Sequence, residues 1–161
     1  MKYVCCSIVR GLGKSLQALT ALAVLRLEKE MNTKPFLVVC PASVVQHWVD
    51  ETARYFPEKL LLALPYSDLK GNMAEALCGR HIIVVSYEML RRDVSSGAKS
   101  SKLLNQIWEA AVLDEAHLIK NPEAATTRAV CALKCKHRIA LSGTPVQNQV
   151  HTCFFICFNT S

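Results

Sequence analysis

Short, unbroken apolar runs constrain the fold of this chain more than any other sequence feature. Runs of this kind occupy residues 36–40, 82–85 and 110–113. Such runs are typical of strands that are buried on both faces of a parallel sheet, because helices cover both sides. Segments with apolar residues at helical spacing separate the runs. The pattern therefore predicts an α/β fold, a three-layer sandwich around a mostly parallel sheet.

The predicted strands and helices alternate along the chain, as such a fold requires. The predicted strands cover residues 3–9, 36–40, 60–64, 82–86, 110–113 and 138–141. The predicted helical segments cover residues 14–31, 44–56, 69–78, 87–92, 103–108 and 122–133. Ser43 is expected to cap the second helix. The polar stretch 93–102 is predicted to be a surface loop within one domain, since strands resume after it.

The eight cysteines are interpreted as mostly buried free thiols in a reducing compartment. Cys40 and Cys78 lie in or near apolar segments, and residues 1–10 contain no apolar stretch long enough for an export signal. The cysteine pairs at 131/135 and 153/157 have a spacing that differs from the common zinc knuckles, which disfavours a zinc site.

Charge and hydropathy bear on the partners of the chain. The formal net charge of +6 favours a polyanionic partner, although many soluble proteins are as basic. No apolar run is long enough to span a bilayer, so no membrane partner is expected.

A candidate phosphate-binding loop lies between the first predicted strand and the first predicted helix. It comprises Gly11, Leu12, Gly13, Lys14 and Ser15. Glycines let backbone amides approach phosphates, the helix N-terminus adds positive charge, and the lysine reaches the terminal phosphates. The serine hydroxyl is a suitable magnesium ligand. The alternative is an ordinary strand-to-helix turn, because Ile8 occupies the position where the strict motif has glycine.

Two adjacent acids, Asp114 and Glu115, follow the apolar run 110–113. At the carboxyl end of a strand, both side chains can point into one crevice. Asp114 can hold a metal ion and Glu115 can orient or deprotonate a water molecule. The alternative is a solvated acidic loop, but the presence of both motifs in the right order argues against it.

A third strand-end motif contains Ser142, Gly143 and Thr144, followed by Pro145. Its hydroxyl groups are placed to sense a bound γ-phosphate and to relay that signal. From chemistry alone, a plain strand-ending turn remains an equally valid interpretation.

Taken together, these motifs resemble the Swi/Snf-type ATPases of helicase superfamily two. Residues 11–15 resemble motif I of that family, and residues 37–43 with Trp48 and Glu51 resemble motif Ia. Residues 83–90, 113–117 and 141–148 resemble motifs Ib, II and III. Residues 114–117 alone would also fit an RNA helicase of the DEAH type. The sequence Ile-Lys-Asn at residues 119–121 and the third motif favour the Swi/Snf type.

The resemblance implies a RecA-like first lobe, covering residues 11–150, that binds ATP and magnesium. By the resemblance, residues 11–15 of this chain are expected to bind nucleotide. Lys14, Asp114 and Glu115 are expected to be catalytic, and Ser15 and Asp114 to hold magnesium. Ser142, Gly143 and Thr144 couple the nucleotide to the DNA. The residues expected to contact the DNA backbone are Ser43, Ser86 and Tyr87. The resemblance also implies that the full-length protein uses ATP hydrolysis to translocate on double-stranded DNA and to remodel chromatin or other protein–DNA complexes, and that it is nuclear.

Trp48 could be mistaken for a base-stacking residue. It shares its predicted helix with several valines, and a core position is therefore expected.

The segments 1–10 and 151–161 depart from the family pattern, and the second is an apolar tail. The chain is therefore expected to be a fragment without the second RecA-like lobe, whose arginine fingers stabilise the transition state. Alone it is expected to hydrolyse ATP slowly or not at all. A non-catalytic fragment that binds DNA or a partner remains the alternative from another functional class.

Overall fold

A parallel sheet forms the centre of the chain. The structure is a computed structural model, and it describes residues 2–7 (backbone only), 13–28, 34–69, 81–97 and 99–143. Within these residues the strands are β1 (Lys2–Ser7), β2 (Phe36–Cys40), β3 (Leu62–Pro65), β4 (His81–Ser86), β5 (Ile107–Leu113) and β6 (Lys134–Ser142). Their order in the sheet is β1-β6-β5-β2-β4-β3, and every neighbouring pair is parallel.

The parallel arrangement brings the ends of β1, β5 and β6, the strands that precede the three predicted motifs, to one edge of the sheet. Leu113, the last residue of β5, is in register with Val39 of β2 and Ala140 of β6. Ser142, the last residue of β6, is in register with Ser7 of β1. The segments after β1, β5 and β6 therefore all leave the sheet at its carboxyl edge, where ligands bind in open α/β folds.

Helices cover both faces of the sheet. The α-helices described are α1 (Lys14–Glu28), α2 (Val45–Tyr55), α3 (Tyr87–Ser95), α4 (Lys102–Asn105) and α5 (Ala125–Cys131). Phe36 and Val38 of β2 pack in one apolar core with residues of α1 and α2. Leu37 and Val39 pack in the other core, with residues of α3, α4 and α5. The predicted three-layer sandwich is therefore confirmed, because successive residues of a strand point to opposite faces.

The observed bounds differ from the predicted ones mainly in the second half of the chain. The predicted helical turn at 103–108 is wrong beyond residue 105, because β5 begins at Ile107 and Trp108 is fully buried in it. Strand β6 begins at Lys134 and α5 is shorter than predicted. The predicted helix at 69–78 falls largely outside the described residues, as do the apolar tail and Thr144.

Ser43 does not cap α2. It lies in a single 3₁₀ turn, Ala42–Val44, and the residue that precedes α2 is Val44, which makes no capping hydrogen bond with its side chain. The turn follows directly from Pro41, whose carbonyl accepts a hydrogen bond from the amide of Val44. The chain therefore enters α2 through a tight turn instead of a side-chain cap.

The cysteines only partly match the expectation of free thiols. Cys40 and Cys135 are free, and burial raises the pKa of the Cys40 thiol to about 12. Cys131 is disulfide-bonded, so the expectation is wrong for this residue. The part of the chain that the structure describes contains no group of three His, Cys, Asp or Glu side chains able to hold a metal ion. None of its helices is long and apolar enough to cross a membrane.

Asp93, near the end of α3, holds the polar loop between α3 and α4. The predicted loop 93–102 is too long at both ends, because α3 extends to Ser95 and α4 begins at Lys102. The carboxylate of Asp93 accepts hydrogen bonds from the hydroxyls of Tyr66 (2.6 Å) and Ser101, and from the amide of Leu103 (3.1 Å). The indole of Trp108 donates to the carbonyl of Leu103, at 3.1 Å. These contacts stabilise the loop locally.

Arg138 holds the end of α5. This β6 residue is buried (3% exposed), and its guanidinium donates to the carbonyl oxygens of Val130 (3.2 Å), Cys131 (3.4 Å) and Leu133 (2.7 Å). The last carbonyls of a helix have no partner within the helix, and a cation also interacts favourably with the negative end of the helix dipole. Arg138 therefore supplies hydrogen bonds that α5 cannot make itself.

Candidate nucleotide-binding site

The start of α1 has the geometry that a phosphate loop needs. Gly13 has φ +67°, a left-handed conformation that glycine adopts without steric cost, and its carbonyl accepts the amide of Gln17 at 3.0 Å. Lys14 and Ser15 are the first two residues of the helix. No acidic residue lies in the first turn to oppose an anion at the positive helix end. Gly11 and Leu12 lie outside the described residues.

The structure brings the two predicted motifs into contact. The Nζ atom of Lys14 lies 3.4 Å from Oε1 of Glu115, although the residues are 101 positions apart in the sequence. Their side chains are only 15% and 30% exposed. The partly buried Lys14 and Glu115 therefore face each other at the carboxyl edge of the sheet. Lys14 begins the helix that follows β1, Glu115 follows β5, and β6 lies between these two strands.

Both carboxylate oxygens, the amide and the carbonyl of Asp114 each make a hydrogen bond. Its Oδ2 accepts the indole Nε1–H of Trp48 (3.1 Å), and its Oδ1 accepts the amide of Glu115 (2.9 Å). Its own amide donates to Val39 (2.8 Å), and its carbonyl accepts the hydroxyl of Tyr87 (2.7 Å). Burial raises the pKa of the Asp114 carboxyl, and the hydrogen bond from Trp48 opposes this shift. The carboxylate is thus desolvated and fixed in place.

Glu115 adopts an unusual backbone conformation. Its φ of 49° and ψ of 50° are left-handed, and among the described residues it is the only non-glycine residue with a positive φ. Its Oε2 lies 3.0 Å from Nδ1 of His117, and its carbonyl accepts the amide of Leu118 (2.9 Å). The sharp turn directs the carboxylate toward Lys14, which explains how two adjacent acids reach one crevice.

The third predicted motif ends at the same edge of the sheet. Ser142 is buried at the end of β6, between β1 and β5, and Gly143 follows it. The structure therefore places Ser142 between the strands that lead to the two other motifs. Thr144 is not among the described residues.

The residues present fit a nucleotide with magnesium. Asp114 offers a half-buried carboxylate and Ser15 a hydroxyl, both of which are oxygen ligands of the kind that magnesium prefers. Lys14 is the matching cation for phosphate oxygens. The same lysine already pairs with Glu115, which shows that its ammonium group reaches the carboxyl edge of the sheet.

Two residues of the site have roles that the sequence did not reveal. Trp48 is buried (1% exposed), which confirms the predicted core position, but its hydrogen bond to Asp114 was not predicted. Tyr87 was predicted to contact DNA, yet its side chain is 4% exposed and bonded to Asp114. The Tyr87 side chain therefore faces Asp114, and the DNA contact at this residue stays a prediction for its backbone amide at the start of α3.

The two predicted DNA-contacting serines are accessible to different degrees. Ser43 is exposed in the 3₁₀ turn before α2. Ser86 is half-buried, and its hydroxyl oxygen accepts the amide of Met89 at 3.1 Å, so that it caps α3. Ser86 is the last residue of β4 and Ser43 lies three residues after the end of β2, so both are at the carboxyl edge of the sheet.

Comparison with known proteins identifies the family. The model of the SNF2-related domain matches residues 10–158 of the chain. The chain belongs to the SNF2-related family. This confirms the resemblance to Swi/Snf-type ATPases drawn from motifs I to III. It also removes the alternative of a DEAH-type RNA helicase.

Curated relatives within the SNF2-related family include the TATA-binding protein-associated factor BTAF1 of Arabidopsis thaliana, which is 36% identical over 148 residues. The chromatin-remodeling ATPase INO80 of the same plant is 37% identical over 153 residues. Both alignments cover 87% of this chain, but only 7% and 10% of those relatives. The chain therefore spans a small part of the length of the SNF2-related proteins that it matches.

A solved structure of the SNF2-related family has the same fold. The SWI2/SNF2 ATPase core of Sulfolobus solfataricus, in complex with dsDNA, superimposes with a TM-score of 0.76 at 33% identity. The superposition covers 96% of this chain and 30% of the archaeal one. The chain corresponds to one portion of that ATPase core, which confirms the predicted RecA-like fold.

Proposed function

We propose that this chain is the ATP-binding lobe of a DNA-dependent ATPase that moves along duplex DNA and remodels protein–DNA complexes. The contact between Lys14 and Glu115, at 3.4 Å across the carboxyl edge of the sheet, is the observation that carries the proposal. It joins the phosphate-loop lysine to the acid pair in one site. Membership of the SNF2-related family supports the same function.

In the proposed site each residue has a separate task. Residues 11–15 hold the nucleotide, with Lys14 leaving Glu115 to pair with the terminal phosphates. Ser15 and Asp114 would hold magnesium, which when bound would supply positive charge beside the phosphates. Glu115 orients the attacking water molecule and accepts its proton. When the incoming nucleotide draws Lys14 away from Glu115, the Glu115 carboxylate is free to act on the water molecule.

DNA is proposed to lie along the carboxyl edge of the sheet. Ser43, Ser86 and the backbone amides at the start of α3 would contact backbone phosphates, which gives affinity without sequence preference. Ser142, Gly143 and Thr144 would couple this track to the nucleotide. The dsDNA in the archaeal ATPase structure and the net charge of +6 support this arrangement. A second RecA-like lobe and a nuclear location are part of the same proposal.

Replacing Lys14 with alanine tests the proposed nucleotide site. We expect the affinity for ATP in the presence of magnesium to fall about 10- to 100-fold, because a charge-assisted contact to phosphate is lost. Isothermal titration calorimetry with ATP and magnesium measures the effect. The matched control is Lys59→Ala, which removes an exposed lysine between α2 and β3. Equal ATP affinity in the wild-type protein and Lys14→Ala would contradict the proposed site.

A further inference from the structure

We propose that Trp48 and Tyr87 are positioning residues that hold the magnesium ligand Asp114 and couple it to the segments facing DNA. This inference rests on the proposed function and adds two side chains to it. Each residue donates a hydrogen bond to a different oxygen of Asp114, and each belongs to a helix that begins next to a predicted DNA contact.

The first connection runs through α2. The 3₁₀ turn Ala42–Val44, with exposed Ser43, leads directly into this helix. One turn further along, the buried indole of Trp48 donates from Nε1 to Oδ2 of Asp114 at 3.1 Å. A displacement of the turn by a bound phosphate would therefore move the donor of one carboxylate oxygen.

The second connection runs through α3. Ser86 caps this helix and Tyr87 is its first residue. The buried hydroxyl of Tyr87 donates to the carbonyl oxygen of Asp114 at 2.7 Å. The amide of Asp114 is already bonded to Val39 of β2, so the backbone at this residue is held from two sides.

Physical chemistry explains why these two bonds matter for a metal ligand. A carboxylate can rotate and its backbone can shift unless hydrogen bonds hold both in place, and a metal ligand needs a fixed position. Outer partners of a metal-ligating group orient it and tune its affinity for the metal. Trp48 supplies such a bond to the side chain and Tyr87 fixes the backbone from which that side chain projects. DNA and magnesium would then influence each other through the same acid, and this coupling is reciprocal.

The chain contains a matched control for each residue. Trp108 is also fully buried and its indole also donates a hydrogen bond, but to the carbonyl of Leu103. Tyr66 also donates its hydroxyl to an acidic residue, but to Asp93. The variants Trp48→Phe and Trp108→Phe therefore make the same chemical change, as do Tyr87→Phe and Tyr66→Phe. Only the first of each pair removes a contact to Asp114.

The experiment measures binding of a non-hydrolysable ATP analogue at increasing magnesium concentrations, with and without duplex DNA. For Trp48→Phe and Tyr87→Phe we expect the magnesium concentration at half-saturation to rise about 10-fold. We expect the affinity for the analogue without magnesium to stay unchanged, and the effect of DNA on magnesium to be lost. Trp108→Phe and Tyr66→Phe should behave like the wild-type protein.

A spectroscopic measurement on Trp108→Phe keeps the test valid if Trp48→Phe does not fold. The chain has two tryptophans, so this variant leaves Trp48 as the only one. Its fluorescence should change when magnesium and the analogue are added, and change again with duplex DNA. An unchanged signal in a protein that binds both would overturn the inference.

The outcomes separate this inference from the proposed function. If the wild-type protein binds no analogue at any magnesium concentration, the proposed function fails, and the inference fails with it. If the wild-type protein binds but all four variants share one magnesium dependence, the inference alone is overturned.

Discussion

Replacing Glu115 with glutamine is expected to slow ATP hydrolysis by about 10²- to 10⁴-fold, the usual contribution of a general base. Glutamine has nearly the same shape but cannot accept a proton from water. ATP binding should be retained or become tighter, because the Lys14–Glu115 contact that competes with phosphate loses its charge. Because this chain alone is expected to hydrolyse ATP slowly or not at all, the rate is measured in a protein that joins it to a second RecA-like lobe. The assay uses single-turnover conditions, with protein in excess over labelled ATP and with duplex DNA present.

Glu123→Gln is the matched control for this prediction, because Glu123 is an exposed acid a few residues further along the chain. It should hydrolyse ATP at the wild-type rate. Duplex RNA, added in place of DNA, should stimulate less. A Glu115→Gln protein that hydrolyses ATP as fast as the wild-type chain would show that this carboxylate does not activate the water.

Replacing Arg138 with methionine is expected to lower the free energy of unfolding by about 2–4 kcal/mol, since each buried carbonyl left without a donor costs about 1–3 kcal/mol. Methionine fills much of the same space but donates no hydrogen bond. The carbonyls of Cys131 and Leu133 then lose this donor, the carbonyl of Val130 keeps the amide of Leu133 (3.3 Å), and the negative end of α5 loses its cation. Urea unfolding at equilibrium, followed by circular dichroism, gives the difference.

Arg128→Met provides the comparison, because Arg128 is exposed on the same helix α5. Its effect should stay within about 0.5 kcal/mol, as for most surface substitutions. If both arginine variants unfold at the same urea concentration, the capping role assigned to Arg138 is wrong.

The sequence predicted best those elements whose character is decided locally. Strands β2 and β4 were predicted to within one residue, because an apolar run between turn signals that is too short for a typical helix fits a buried strand. The start of α1 at Lys14 was also predicted, because glycine marks the turn before it. The motif residues and their order along parallel strands then placed the candidate site at the carboxyl edge of the sheet.

Features that depend on distant contacts could not be predicted in this way. Lys134 and Lys136 look like loop residues, but Lys136 pairs with buried Glu109 at 2.8 Å, and the pairing extends β6 beyond its apolar part. A tyrosine combines an apolar ring with a polar hydroxyl, so its sequence position does not tell whether it is buried. Only the fold shows that the Tyr87 hydroxyl reaches Asp114. The hydrogen bond from Trp48 likewise joins residues 66 positions apart.

The left-handed backbone of Glu115 has a consequence for protein engineering. A side chain in this conformation costs about 1–2 kcal/mol compared with glycine, and asparagine also tolerates it well. A redesign that scores only thermal stability would therefore select glycine or asparagine at position 115 and count the exchange as an improvement. The resulting protein would melt at a higher temperature and lack the carboxylate that meets Lys14. Position 115 must therefore be held constant when this lobe is stabilised by design.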